Sequence, residues 1–433
     1  MIALIKTLQV ILALSILIIL HEFGHFTFAK LFHIRVDKFY LFFDIGDKRL
    51  LKFRIGETEY GIGWLPLGGY CKIAGMVDES MDLESLEKKP QDWEFRTHPA
   101  WQRLLVMAGG VLYNFIFAIA VYCAIMGIWG KSYISNEDAH IAVNELAYEM
   151  GFRDGDHIIR FDDYEPENFG MLQADLARRN VSKAVVQRDT DTLDIYIDHA
   201  LIGNVLNSPL MFDLALPFVI DSVVSTTALD AGLMKGDRIC AIGGTDVRYV
   251  NQARPLLQEC AGDSTVISVV RADGQALDVT AYVDTSAMLG VTIKNPSICT
   301  ERYDFLSAIP AGFNMAMETV GGYLSDLRLL ARPSTGAYKS VGSFIAIGQV
   351  FPSSWDWYQF MSILALLSIM LGVMNLIPIP GLDGGHIVFV LYEMITGRKP
   401  SEKFLVITQY IGLFLLLMLM LLAFGNDIGR LIH

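Results

Sequence analysis

The sequence predicts a polytopic α-helical membrane protein with four transmembrane helices, a membrane-associated β-hairpin and two water-facing α/β domains. Three observations predict it. Four apolar stretches reach the roughly 20 residues that a spanning helix needs. The net charge of −13 is confined to residues 131–357, which hold 17 Lys/Arg against 30 Asp/Glu, while the remainder holds 17 of each. That acidic block also repeats itself once, at an offset of 81 residues.

The elements follow in chain order. Residues 1–32 are read as the first span. Lys6 and an apolar core are also features of a cleaved leader, but no small-residue cleavage site follows and apolar character resumes after His25. Residues 33–100 form a loop. Within it, residues 50–76 (LLKFRIGETEYGIGWLPLGGYCKIAGM) place apolar Phe53 and Ile55, then Tyr60, Ile62 and Trp64, on either side of a polar turn. That pattern is a hairpin signal. Gly61, Gly63, Gly68 and Gly69 reduce bulk and let another backbone come close. An ordinary small sheet at the membrane surface explains the same residues.

Residues 101–130 are the second span, with Trp101 and Trp129 near its ends as membrane interfaces favour. Residues 301–356 are a linker with an amphipathic helical stretch from Phe305. Residues 357–380 are the third span, 381–403 a loop and 404–426 the fourth span. Arg398, Lys399 and Lys403 lie in the short last loop, and such loops stay cytoplasmic. Four spans then put both termini and the acidic block on the outer side.

The repeat is specific. LAYEMGFRDGDHIIRFDD begins at Leu146 and TALDAGLMKGDRICAIGG at Thr227. Gly151, Gly155, Asp156 and Ile158 match Gly232, Gly236, Asp237 and Ile239. A short helix ending at glycine, a tight Gly-Asp turn and an alternating strand form one unit seen twice. The pattern resembles PDZ domains of the bacterial protease-associated type. It implies two extracytoplasmic PDZ-like α/β domains over residues 131–212 and 213–300. No clear carboxylate-binding loop precedes either helix, so peptide capture and passive exclusion by size are both open.

Two classes of chemistry are excluded early. No basic stripe is present to neutralise phosphates, so nucleic acid is not an expected partner. The five cysteines include no C-x-x-C pair, so neither a disulfide framework nor a cysteine zinc site is expected. Cys240 and Cys260 could pair, but free thiols are the expectation.

The first span ends in H-E-F-G-H, residues 21–25. An ionisable group in lipid costs roughly 2.5–3.5 kcal/mol on insertion scales, so three within five residues need a purpose. On a helix, positions i and i+4 share a face, and His21 and His25 can share one Zn²⁺. Glu22 then stands where a general base is needed. A catalytic zinc takes three protein ligands and keeps one position open. The end of the third span, NLIPIPGLDGGH (residues 375–386), offers Asp383, with His386 as the rival. The first and third spans run parallel, so Asp383 and His21 lie at matching depth. Pro378, Pro380, Gly381, Gly384 and Gly385 break the helix there, which is tolerated where protein or a wet cavity covers the backbone.

H-E-F-G-H in the first span, the tandem repeats after the second and N-x-x-P-x-x-x-L-D-G ending the third together resemble the site-2 protease family of intramembrane zinc proteases. The arrangement is similar to the PDZ-bearing, four-span members of bacterial inner membranes. The resemblance implies His21, His25 and Asp383 as zinc ligands, Glu22 as general base and Asn375 as a substrate-holding residue. It implies a re-entrant β-loop at residues 50–76 and a site near the cytoplasmic face. It also implies single-span membrane proteins as substrates, some already trimmed by another protease or left as remnant signal peptides. A helix hides its carbonyls, so such a substrate must unwind, and an edge strand can hold the extended form. Gly61, Gly63, Gly68 and Gly69 are the expected points of approach. Two other readings use part of the pattern. A metal or proton transporter would explain intramembrane His and Asp. A membrane-anchored scaffold would explain the repeat and leave H-E-F-G-H without a purpose.

Overall fold

The computed structural model describes residues 2–44, 46, 48–66, 68–76, 89–137, 139–205, 208, 210–293, 298–331 and 344–432. The chain divides into two compact units, one of Met1–Lys131, Arg302–Leu327 and Lys339–His433, the other of Ser132–Glu301 and Arg328–Tyr338.

The first unit starts with helix α1 (Ile2–Leu31). At 1.5 Å per residue its 30 residues reach about 45 Å, longer than a bilayer core. Strands β1 (Val36–Leu41), β2 (Arg49–Ile55), β3 (Thr58–Gly63) and β4 (Tyr70–Ile73) follow and form one sheet in the order β2-β3-β1-β4. The sequence predicts a hairpin here, with an ordinary small sheet as the other reading. The antiparallel β2–β3 hairpin is present, turning at Gly56 with φ 59°. The sheet also takes in β1, parallel to β3, and β4, antiparallel to β1. VDKFYL sets polar Asp37 and Lys38 side by side and so lacks clean alternation, and its periodicity did not mark it as a strand.

Helix α2 (Ala100–Ile128) is the hub and packs against α1 and two later helices. At the α1–α2 crossing, a Cβ on Gly24 would lie 2.2 Å from the Gly109 carbonyl oxygen. Glycine on both sides lets the two backbones touch, the small-residue device of membrane helix pairs.

The second unit contains β5 (Lys131–Ile134), β6 (Ile141–Val143), α3 (Glu145–Glu149), β7 (His157–Phe161), α4 (Leu172–Arg178), β8 (Lys183–Arg188), β9 (Asp191–Tyr196), α5 (His199–Val205) and β10 (Phe212–Leu214). It continues with β11 (Ile220–Val223), α6 (Thr226–Asp230), β12 (Arg238–Ile242), β13 (Thr245–Asp246), α7 (Val250–Glu259), β14 (Ser264–Val270), β15 (Ala276–Tyr282), β16 (Val291–Ile293) and β17 (Ile298–Glu301). The repeat is visible in atomic detail. Asn144 caps α3 and Ser225 caps α6. The glycine pairs Gly151/Gly155 and Gly232/Gly236 all have positive φ, between 85° and 105°. Asp156 and Asp237 each accept a backbone N–H three residues earlier, from Arg153 and Met234, at 2.9 Å. A three-stranded sheet β7-β8-β9 in the first copy answers a four-stranded sheet β13-β12-β14-β15 in the second, each with its own apolar core. These are two copies of one α/β unit.

The chain returns to the first unit through α8 (Phe305–Leu330), whose Ala308, Ala311 and Ala316 face α2. Then come α9 (Phe344–Val350), α10 (Trp357–Leu376), α11 (Asp383–Thr396) and α12 (Glu402–Ile432). Residues 381–403 are expected to be a loop, but Asp383–Thr396 is a 14-residue helix packed on α2. Pro378, Pro380 and Gly381 (φ 95°) end α10 and mask the short apolar face that follows. Gly397, in the left-handed conformation, closes α11. Among the described residues four helices are long and apolar enough to cross a membrane: Ile2–Leu31, Ala100–Ile128, Trp357–Leu376 and Lys403–Asp427. None of the five cysteines, Cys240 and Cys260 included, is in a disulfide.

Candidate metal centre

Two helices bring three side chains to one point. His21 and His25 lie one turn apart on α1, and Asp383 opens α11. A Cβ on Gly384 would lie 2.2 Å from the Ile377 carbonyl, so glycine lets the first turn of α11 press against the end of α10. Asp383 Oδ2 lies 3.3 Å from His21 Nε2 and 3.3 Å from His25 Nε2, and the two Nε2 atoms are 3.4 Å apart. His25 Nδ1–H donates to the Val106 carbonyl of α2 at 2.8 Å. A carbonyl only accepts, so the proton of the neutral ring is on Nδ1 and Nε2 presents a lone pair. Asn375 Nδ2, on α10, donates to His21 Nε2 at 3.2 Å.

The triangle fits zinc. Ligand bonds of about 2.0–2.1 Å in a tetrahedron give ligand–ligand edges of about 3.3–3.4 Å. Two imidazole nitrogens and one carboxylate oxygen are a zinc donor set. Asp383 Oδ2 is buried with no hydrogen-bond donor, so three acceptor atoms face one another, an arrangement that a cation stabilises. Among the described residues, these three form the group of His, Cys and acidic side chains whose ligand atoms lie within 4.8 Å of one another.

The site opens on a cavity of about 80 Å³. His21, Glu22, His25, Asp383 and His386 line it, with Tyr70, Cys71 and Ile73 of β4 and Gln409 of α12. Glu22 accepts a hydrogen bond from the Cys71 backbone N–H. β4 ends the sheet, and no strand among the described residues pairs with its outer edge. His386 stands one turn beyond Asp383 on the cavity wall, hydrogen-bonded to Gln409, and is outside the triangle.

The four hairpin glycines do not meet a free edge. Gly61 and Gly63 are in β3, which is paired on both sides. A Cβ on Gly61 would strike the Tyr40 ring at 2.3 Å, and one on Gly63 the Phe43 backbone at 2.3 Å. Gly68 is filled by the Phe43 ring, and Gly69 by Ile18 and the Tyr40 carbonyl. Their missing side chains make room for the chain itself. Sequence reasoning also passed over Asn114, Gly110, the Val106 carbonyl and Gln409. Asn114 and Gln409 carried a usable signal, since each is a buried polar residue inside an apolar span.

Comparison with known proteins agrees with this chemistry. The model of peptidase family M50 matches residues 9–419. The regulator of sigma-E protease RseP of Salmonella typhimurium is 29% identical, over 97% of this chain and 98% of its own length. A Vibrio cholerae protein named as a zinc metalloprotease is 28% identical over the same shares. The regulator of sigma E protease of Haemophilus influenzae is 28% identical, covering 97% of this chain and 98% of its own. The chain therefore belongs to peptidase family M50, the site-2 proteases, and is a zinc metalloendopeptidase of a bacterial membrane.

Proposed function

We propose that the protein cleaves single-span membrane proteins within their transmembrane segments, an anti-sigma factor or a remnant signal peptide among them. The reading assigns His21, His25 and Asp383 as zinc ligands and Glu22 as general base. The observation that carries it is the Nε2–Nε2–Oδ2 triangle of 3.3–3.4 Å edges, with Glu22 on the same cavity wall.

Bound zinc supplies Lewis acidity and makes water a nucleophile near neutral pH. The chain's residues do the rest. Glu22, beside His21, takes the proton of the attacking water and passes it to the leaving amine. Its bond from the Cys71 N–H orients the carboxylate. An unwound substrate adds as a strand to the outer edge of β4, where backbone hydrogen bonds replace those lost from its helix. Tyr70, Cys71 and Ile73 bring that edge to the cavity. The Asn375 amide then binds the substrate backbone. The site lies near the cytoplasmic face of the inner membrane. The two α/β repeats are extracytoplasmic PDZ-like domains that exclude bulky, untrimmed proteins.

Purified protein and the Glu22→Gln variant test this together. Bound zinc is measured, and so is cleavage of a single-span substrate with and without a bulky outer domain. Zinc retained and cleavage lost by at least about 100-fold, the low end for a general base, is expected. Cleavage by the variant at the wild-type rate removes Glu22 from the chemistry. A chain lacking residues 131–300 is expected to accept the bulky substrate; unchanged selectivity removes the filter.

A further inference from the structure

Asn114 is fully buried in α2 and has no part in the chemistry above. Its carboxamide lies 3.1 Å from His21 Nδ1. Val106, Gly110 and Asn114 are spaced by four and lie along one face of α2. Val106 takes the Nδ1–H of His25. Gly110 is the space between: a Cβ there would sit 2.5 Å from His25 Nε2 and 2.6 Å from His21 Cε1. So α2 presents to the two imidazoles a carbonyl, a gap and a carboxamide, one turn apart.

The direction of the Asn114 bond follows from its surroundings. As a zinc ligand His21 holds its lone pair on Nε2, the nitrogen that faces Asp383 Oδ2 and lies 3.2 Å from Asn375 Nδ2. The proton of neutral His21 is then on Nδ1, and Asn114 must meet it with oxygen. With nitrogen turned to the ring, Oδ1 is buried without a partner. A half-turn of the amide gives that oxygen the Nδ1–H. Ser368 of α10 donates to the Asn114 backbone carbonyl at 2.8 Å and steadies the residue.

We infer that Asn114 is a positioning residue for zinc: its side-chain oxygen accepts the Nδ1–H of His21 and fixes the tautomer and ring angle that aim Nε2 at the metal. It does for His21 what the Val106 carbonyl does for His25, and the inference rests on the zinc-ligand reading of His21. Partners of this kind raise metal affinity by about 10–100-fold.

The test uses the full chain in detergent micelles, with zinc alone as the probe. Affinity is measured by chelator competition, and the site is also loaded with cobalt(II) to read its d–d absorption. Asn114→Leu, close in volume but without an acceptor, is expected to lose about 10–100-fold in zinc affinity and to alter the cobalt bands. Asn114→Asp keeps an acceptor and is expected to recover affinity to within a few-fold. Ser368→Ala, which removes only the backbone contact, is expected to bind as the wild type does. The inference is overturned if Asn114→Leu binds zinc with wild-type affinity and spectrum, or if Asn114→Asp is as weak as Asn114→Leu. His21→Ala separates the two layers: wild-type affinity there overturns the ligand reading, whereas lost affinity there with a normal Asn114→Leu overturns only the role of Asn114.

Discussion

Asp383 and Asp156 are both held largely away from water, yet their surroundings answer the cost of a buried charge in opposite ways. Asp156 is completely buried and every contact offered to it is a donor: the Arg153 N–H at 2.9 Å, and Arg188 through Nε at 2.7 Å and a second nitrogen at 2.8 Å. Asp383 offers Oδ2 to two imidazole nitrogens at 3.3 Å, and that oxygen has no donor. A carboxylate saturated by fixed donors holds a turn in place. One that faces other acceptors is arranged for a cation. The difference separates a structural acid from one arranged for a cation without reference to any motif.

The strongest way to break the comparison is to replace each acid's role with an amide. Asp383→Asn keeps the shape and removes the charge. Zinc affinity and cleavage are both expected to fall by more than about 100-fold, the upper end for losing a mere supporting partner. Chelator competition and single-span cleavage read the two losses. Wild-type zinc content in this variant would return His386 as the third ligand.

Removing the donor side sharpens the comparison within the repeat. Arg188→Ala leaves Asp156 charged, buried and short of its bidentate partner, a loss expected to destabilise the second unit by about 3 kcal/mol. The matching pair in the other copy is looser. Arg271 Nε is 3.8 Å from Asp237 and has no hydrogen-bond partner, while its second nitrogen serves the Gly232 carbonyl. Arg271→Ala is expected to cost about 1 kcal/mol. Thermal and denaturant unfolding of both variants measures the gap. Equal losses would show that the two copies use the pair alike.

The legible parts of this molecule are those with a local signature. The four apolar stretches and the 81-residue offset rest on periodicity and turn chemistry, and each is visible in one window of sequence. His21, Glu22 and His25 are legible because one helix turn brings them together. From the residues alone Asp383 was reachable only by matching depths along two parallel spans, which left His386 as a rival until the family resemblance was added. Strand β1, helix α11 and the contacts of Asn114 were not legible, because each depends on what packs against it. β1 is a strand because β3 and β4 flank it, and the Asn114 partner lies 93 positions away on α1. The hairpin glycines were legible in part. Their small size was visible, but the chain's own Tyr40 and Phe43 use the space.

Glu59 is the intermediate case and the smallest expected effect. Its carboxylate lies on β3, partly exposed, and accepts from the Tyr40 hydroxyl at 2.7 Å and from Arg49 at 3.1 Å, with Lys52 at 3.4 Å. The Tyr40 bond first, and the cations with it, hold the Glu59 pKa below its ordinary 4.5. Burial, and then the same bond, push Tyr40 up to about 12, so its hydroxyl stays a donor around neutral pH. A carboxylate with a depressed folded-state value stabilises fully above its unfolded value and loses that contribution as pH falls through the folded one. Glu59→Gln keeps an acceptor for Tyr40 and removes only the charge. The variant is expected to be less stable by about 0.5 kcal/mol at pH 7, a value discounted because Lys52 is half in solvent. The difference is expected to start shrinking as pH falls past 4.5 and to vanish once the pH is below the lower folded-state value. Melting temperatures of both proteins from pH 7 down to pH 3 measure it. A gap that does not change with pH would mean that Glu59 holds the sheet by its shape, as a packed side chain, and not by its charge.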